Sequence, residues 1–170
     1  SSPYSYSEDI YVTSGATLTL DADGSGTTGN WYVDGSTITS TYNNTSNVTP
    51  DHSFGTGTLH LDDSTLTAGV HQMNVSCPVV VSGNTLINGG AREIFFYGDI
   101  SGTGTITENL GWSIYLRGDN SAYTGDWILQ QDYTWLYNSS PTAQPTWASS
   151  GTADGDYTFG SGTITLNGGM

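Results

Sequence analysis

The chain has 170 residues, of which only 11 % are charged, against about 25 % in an ordinary soluble protein. It contains no Lys; Arg92 and Arg117 stand against 13 Asp and three Glu, for a formal net charge of −14. This balance excludes a nucleic-acid partner and disfavours an anionic membrane, both of which need clustered cations, and leaves a cationic ligand such as Ca²⁺ open.

Residues 1–14, with Ser1-Ser-Pro-Tyr-Ser-Tyr6, read as an N-terminal arm, and residues 15–170 as one domain. Ala16-Thr-Leu-Thr-Leu20 alternates apolar and β-branched polar residues and ends at Asp21-Ala-Asp-Gly-Ser-Gly26, a strand followed by a turn. The same pattern returns at Phe54–Leu61, Thr65–Gly69, Val79–Val81, Asp99–Thr107, Ser113–Leu116 and Gly162–Leu166. No stretch carries a helical period, and no apolar run is long enough to span a bilayer. Cys77 is alone, so no intrachain disulfide forms; it reads as a small core residue, with pairing to a second chain as the alternative. Asn43, Asn44, Asn47, Asn74 and Asn138 each open an Asn-x-Ser/Thr sequon and are candidate glycosylation sites.

A repeat runs through this pattern. Thr28-Gly-Asn-Trp31 returns as Thr124-Gly-Asp-Trp127, offset by 96 residues, and Phe54-Gly-Thr-Gly-Thr-Leu59 returns as Phe159-Gly-Ser-Gly-Thr-Ile164, offset by 105. An insertion around Pro141 to Asp154 reconciles the two offsets, giving a first copy over 15–110 and a partial second over 111–170. Short strands in a long repeat predict a β-solenoid. Inward residues stack as a core, Thr, Ser and Asn line the outside, and Gly and Asn turn the corners. At about 20 to 25 residues per coil the chain makes about seven or eight coils. A β-sandwich of antiparallel strands is the alternative fold.

In the second copy, Asp99-Ile-Ser-Gly-Thr-Gly-Thr-Ile-Thr107 leads through Ser113-Ile-Tyr-Leu116 to Gly118-Asp-Asn-Ser-Ala-Tyr-Thr-Gly125. This resembles the autotransporter-associated β-strand repeat, and the Phe159–Gly169 stretch is similar to the strands between such repeats. The resemblance implies a right-handed parallel β-helix on the outside of a bacterium, part of a surface protein acting as stalk or adhesin. Trp31 and Trp127 depart from the pattern, which has small residues there. The resemblance does not extend to the autotransport mechanism, for which the chain shows no membrane-inserting barrel.

Candidate chemistries are few. His60 beside Asp62 and Asp63 suggests an acid–base pair, but its counterpart in the second copy is Thr165, which argues for a strand-surface residue. Asp21 and Asp23 open a calcium-like loop, yet the position where an EF-hand needs its bidentate Glu is Tyr32. Arg117-Gly-Asp119 spells an adhesion signal and equally a Gly/Asp turn, the better reading. No catalytic or metal-binding residue and no cofactor is therefore expected. Thr-x-Thr pairs at Thr17/Thr19, Thr37/Thr39, Thr56/Thr58, Thr65/Thr67, Thr103/Thr105/Thr107 and Thr163/Thr165 suggest a water-ordering array, although their spacing is irregular. Exposed Tyr and Trp raise glycan binding.

The composition favours an extracellular or cell-surface protein and the resemblance implies a structural or adhesive role, so the expectation is a non-catalytic solenoid of that kind, with ice-binding or glycan-binding as alternatives. The strand pattern runs to Asn167-Gly-Gly-Met170 without a Pro or a charged edge, so the expected partner is a neighbouring coil. That coil belongs to a longer array or to a second subunit joined end to end in a filament, with the N-terminal arm able to supply a strand.

Overall fold

The computed structural model describes residues 4–41, 54–69, 72–89, 93–110, 113–130, 135–138 and 159–167. These form an all-β parallel solenoid, and the parallel pairing rules out the sandwich. The first sheet stacks β1 (Ile10–Val12), β3 (Trp31–Asp34), β5 (Leu59–Asp62), β8 (Val79–Val81) and β11 (Ile100–Gly102). The second stacks β2 (Thr17–Leu20), β4 (Thr37–Ser40), β6 (Thr65–Ala68), β9 (Asn84–Gly89), β12 (Thr105–Leu110), β14 (Trp127–Leu129) and β16 (Ile164–Leu166). The third holds β7 (Met73–Val75), β10 (Ile94–Phe96), β13 (Ser113–Leu116) and β15 (Trp135–Asn138).

Parallel neighbours need a crossover of a dozen residues or more, and the other sides of the coil supply it, with no helix among the described residues. The register sets the coil length directly. Ile10 pairs with Trp31, Thr65 with Leu86, Val79 with Ile100 and Ile106 with Trp127, each 21 residues on. Two coils are longer: Trp31 to Leu59 takes 28 residues and Trp127 to Ile164 takes 37. Long coils use up chain, so the first sheet takes five steps, counting its bridge from Gly102 to Tyr123, and the second takes six. This is fewer than the seven or eight coils that length alone suggests.

Alternate residues point inward and stack into apolar columns, as the period of two requires. Val12, Val33, Leu61 and Val81 form one column, and Ile38, Leu66 and Ile87 another; all are buried. The second column continues through Glu108, fully buried between Ile87 and Leu129, a position the strand pattern alone does not mark as acidic and inward. Corner Asp and Asn side chains tie each coil to the next by accepting its backbone N–H. Asp9 accepts from Asn30, Asn30 from Thr58, Asp63 from Asn84, Asp99 from Asp119 and Asp126 from Thr163, at 2.7–2.9 Å. Asn120, itself buried, accepts from Ile100 at 2.7 Å. Much of the acidity is thus corner hardware. The N-terminal segment belongs to this scheme too: β1 pairs with β3, so it serves its own chain and is not a free arm.

The long-range repeat has a local meaning. Trp31 opens a strand of the first sheet and Trp127 a strand of the second, one strand further round the coil. Both precede a lengthened coil, and the Phe of the partner motif lies where that coil rejoins the stack. The indole N–H of Trp31 donates to the Phe54 carbonyl at 2.9 Å, and that of Trp127 to the Phe159 carbonyl at 3.1 Å. The 96- and 105-residue offsets differ by nine, as do the two coil lengths. The repeated motif is therefore a clasp that closes a long excursion.

Candidate functional surface

The outward face of the second sheet carries the most regular surface among the described residues. Thr17 pairs with Thr37 and Thr65, and Thr19 with Thr39 and Thr67, in unbroken register over three strands. The irregular sequence spacing disappears because the extra residues of the 28-residue coil fall between the ends of β4 and β5 in the chain and not within either strand. Six hydroxyl and six methyl groups therefore repeat about 6.7 Å along the strands and about 4.8 Å across them. Thr17 and Thr19 are exposed and the other four half-exposed, while Ile38 and Leu66 between them are buried. β-branched side chains are stiff at χ1, so this array holds its hydroxyls in place. None of the three strands carries a charge, in a chain with 16 acids; the acids cluster at the corners, at Asp34, Asp62 and Asp63. Further along, the first column passes through Leu86, Thr107, Ile128 and Thr165, and the second through Asn88 and Asn109. The pure Thr pattern thus ends after β6. The pairs at Thr56/Thr58 and Thr163/Thr165 do not join it as pairs, since only Thr165 of these four lies in a strand of this sheet.

Aromatic residues on the first and third sheets stack on one another across the coils. On the first sheet, Tyr11 lies on Tyr32 at 4.9 Å and Tyr32 on His60 at 4.6 Å, with interplanar angles of 10° and 5°. Tyr32, in the middle of this ladder, has a ring on each face, while Tyr11 at its end is exposed. His60 is a rung of the ladder, half-buried, as its place on a strand surface implies. His52, His71 and Arg92 lie outside the described residues.

On the third sheet, Phe95 stacks on Tyr115 at 4.1 Å, and the Arg117 guanidinium sits 5.2 Å over Phe95 and 4.9 Å over Tyr97. This cation–π contact occupies the first residue of Arg-Gly-Asp. Asp119 is occupied as well: its carboxylate accepts the Ser121 N–H at 3.0 Å, and bonds from the Ser121 backbone and hydroxyl hold its carboxyl below the usual range. The tripeptide bends at Gly118, and both of its charged ends, though exposed, make contacts within the chain. The Asp23-Gly-Ser25 corner repeats the turn, with Ser25 N–H donating to Asp23 at 2.9 Å. Among the described residues no group of three or more His, Cys, Asp or Glu could hold a metal ion, and Asp21 and Asp23 form no such cluster.

Two residues of the Gly118–Gly125 stretch are buried fasteners. Asn120 anchors Ile100 as above, and the Tyr123 hydroxyl donates to the Gly104 carbonyl at 2.7 Å from full burial, which pushes its pKa upward. Cys77 is 1 % exposed, and burial raises its thiol to about 12, so no second chain can reach it in the folded solenoid. Asn74 is buried on β7, where the folded coil has no room for a glycan. Asn138 ends β15, and Asn43, Asn44 and Asn47 lie outside the described residues, as does the stretch from Pro141 to Asp154.

No helix of the described residues is long and apolar enough to cross a membrane. Comparison with protein-family models, with curated proteins and with solved structures finds no match for this chain.

Proposed function

We propose that this is a non-catalytic extracellular β-solenoid, structural or adhesive in role, whose working face is the threonine array and whose ligand is the ordered water of an ice surface. The observation that carries the reading is the register of Thr17, Thr37 and Thr65 beside Thr19, Thr39 and Thr67. A repeat of hydroxyls and methyls on three uncharged parallel strands can hold water in a lattice-like layer, whereas an acidic face would hold water around its charges. Each contact is weak, so the affinity comes from many equivalent positions meeting a periodic surface at once. The absence of Lys, the high Ser, Thr and Asn content and the likeness of Asp99–Gly125 to autotransporter-associated repeats support a cell-surface or secreted, bacterial setting.

Ice recrystallisation and thermal hysteresis test the reading. The protein is expected to shape ice and suppress recrystallisation. Thr39→Tyr, which fills the middle of the array with a good strand former, is expected to abolish most of that effect. Thr103→Tyr, at an exposed corner outside the array, is expected to leave it intact. No thermal hysteresis and no recrystallisation inhibition from the folded protein at high concentration would overturn the reading.

A further inference from the structure

The threonine array opens onto a longer uncharged face. β9 and β12 stack on β6 without a break in register, so Thr67 is followed by Asn88 and Asn109, and Thr65 by Leu86 and Thr107. Across β2, β4, β6, β9 and β12 the sole charged residue is Glu108, and it is buried in the core. In a chain with 16 acids, these five successive strands turn no charge to solvent. The two outward columns part after β6. The first becomes apolar at Leu86, whereas the second stays polar throughout, as Thr19, Thr39, Thr67, Asn88 and Asn109. Asn is depleted in strands, where Thr fits better, so strand propensity does not explain two Asn at one register position on neighbouring strands. Both are half-exposed, and the Asn109 amide N–H donates to the Asn88 side-chain carbonyl at 3.4 Å. That bond lines the two amides up along the stack, as in an Asn ladder.

We infer that Asn88 and Asn109 are further ligand-contacting residues, so that the second column works as one row of five positions in which amides take over where the hydroxyls stop. This inference rests on the ice reading and extends its surface. A Thr hydroxyl both donates and accepts a hydrogen bond, and an Asn amide supplies N–H donors and a carbonyl acceptor, so a water layer ordered by Thr67 meets the same kinds of partner at Asn88. The step between positions, about 4.8 Å, carries over because β9 and β12 pair in parallel like the strands before them. Ligand held by many weak contacts is held more tightly with each position added, and the two amides lengthen the row from three positions to five.

The test uses the full chain and two variants, each checked for its fold by circular dichroism. Asn88→Asp keeps the shape of the side chain and an oxygen that accepts the Asn109 N–H, yet it puts a charge into the row. At neutral pH it is expected to lower thermal hysteresis by roughly half or more. Below the ordinary carboxylate value of about 3.9 the added group is neutral, and activity is expected to return to that of the unsubstituted protein at the same pH. A residue that only stabilised the sheet would not make ice activity follow this titration. Asn109→Tyr, a good strand former that overfills the row, is expected to give a similar loss at either pH. Full activity at neutral pH from either folded variant, or a loss in Asn88→Asp that low pH does not relieve, would overturn the inference. Thr39→Tyr, measured alongside, separates the two claims: if it alone abolishes activity, the ice reading stands without the amides. Absence of ice activity from the unsubstituted protein would overturn both.

Discussion

Trp127 meets Phe159 edge-on, with ring centroids 5.5 Å apart at 88°, and in doing so repeats the contact of Trp31 with Phe54, at 5.4 Å and 88°. The two pairs stand on different sheets, yet each joins the start of a long coil to its return. The backbone around them matches as well: Thr58 N–H reaches Asn30 and Thr163 N–H reaches Asp126, at 2.9 and 2.8 Å. A motif that works on either sheet is a local device. It lets the solenoid carry excursions of different length without disturbing the register of its strands.

Removing the indole N–H tests the clasp. Trp31→Phe leaves a buried carbonyl without its donor and Trp127→Phe a part-buried one, expected to cost about 1–3 kcal/mol at Trp31 and toward the lower end of that range at Trp127. Alanine at either position adds a cavity and is expected to cost about 3–5 kcal/mol. Urea unfolding measures both. Losses at both Trp31 and Trp127 support one device used twice, and a silent Trp127→Phe would separate them.

The clasp also depends on close backbone approach. A Cβ on Gly57 would land on the Gly29 carbonyl oxygen, and one on Gly162 on the Gly125 carbonyl oxygen. Gly57→Ala and Gly162→Ala are therefore expected to push adjacent coils apart, at about 3 kcal/mol, toward the upper end of single-substitution effects. Thermal unfolding followed by circular dichroism is the measurement.

The Cys77 thiol gives an alkaline signature. Burial raises it to about 12 in the folded state, so its neutral form favours folding. That contribution is fully present below the ordinary thiol value, about 8.5, and is lost as the pH rises toward the folded value. At pH 8 a thiol reagent is expected to leave the folded protein unmodified and to label one equivalent in denaturant.

Asp119 works at the other end of the scale. Its carboxyl is held down by the Ser121 backbone N–H and then the Ser121 hydroxyl, so its contribution is present above the ordinary carboxylate value. It is lost as the pH falls through the lowered folded value. Asp119→Ala is expected to flatten the acid limb of the stability profile. Because Arg117 is held over Phe95 and Tyr97, Asp119→Glu is expected to leave cell attachment unchanged.

Much of this protein follows from its sequence. The alternation of Thr and Leu in Thr17–Leu20 determines strands with one wet and one dry face, because side chains on an extended chain alternate with a period of two. The Gly-, Asn- and Asp-rich stretches determine the corners, the lone Cys77 determines that no intrachain disulfide staples the fold, and the charge excludes polyanionic partners. Tertiary structure decided the rest, because the coil brings together residues whose distance along the chain carries no signal. Thr39 and Thr67 lie 28 residues apart and Thr19 and Thr39 only 20, so the array looks irregular until pairing discards the excursion. The clasp motifs align as one long repeat until the sheets place Trp31 and Trp127 on different sides. Glu108 is placed inward only by the register that sets it between Ile87 and Leu129. Sequence determines which face a residue prefers; only the hydrogen-bonded register between coils determines which residues share that face.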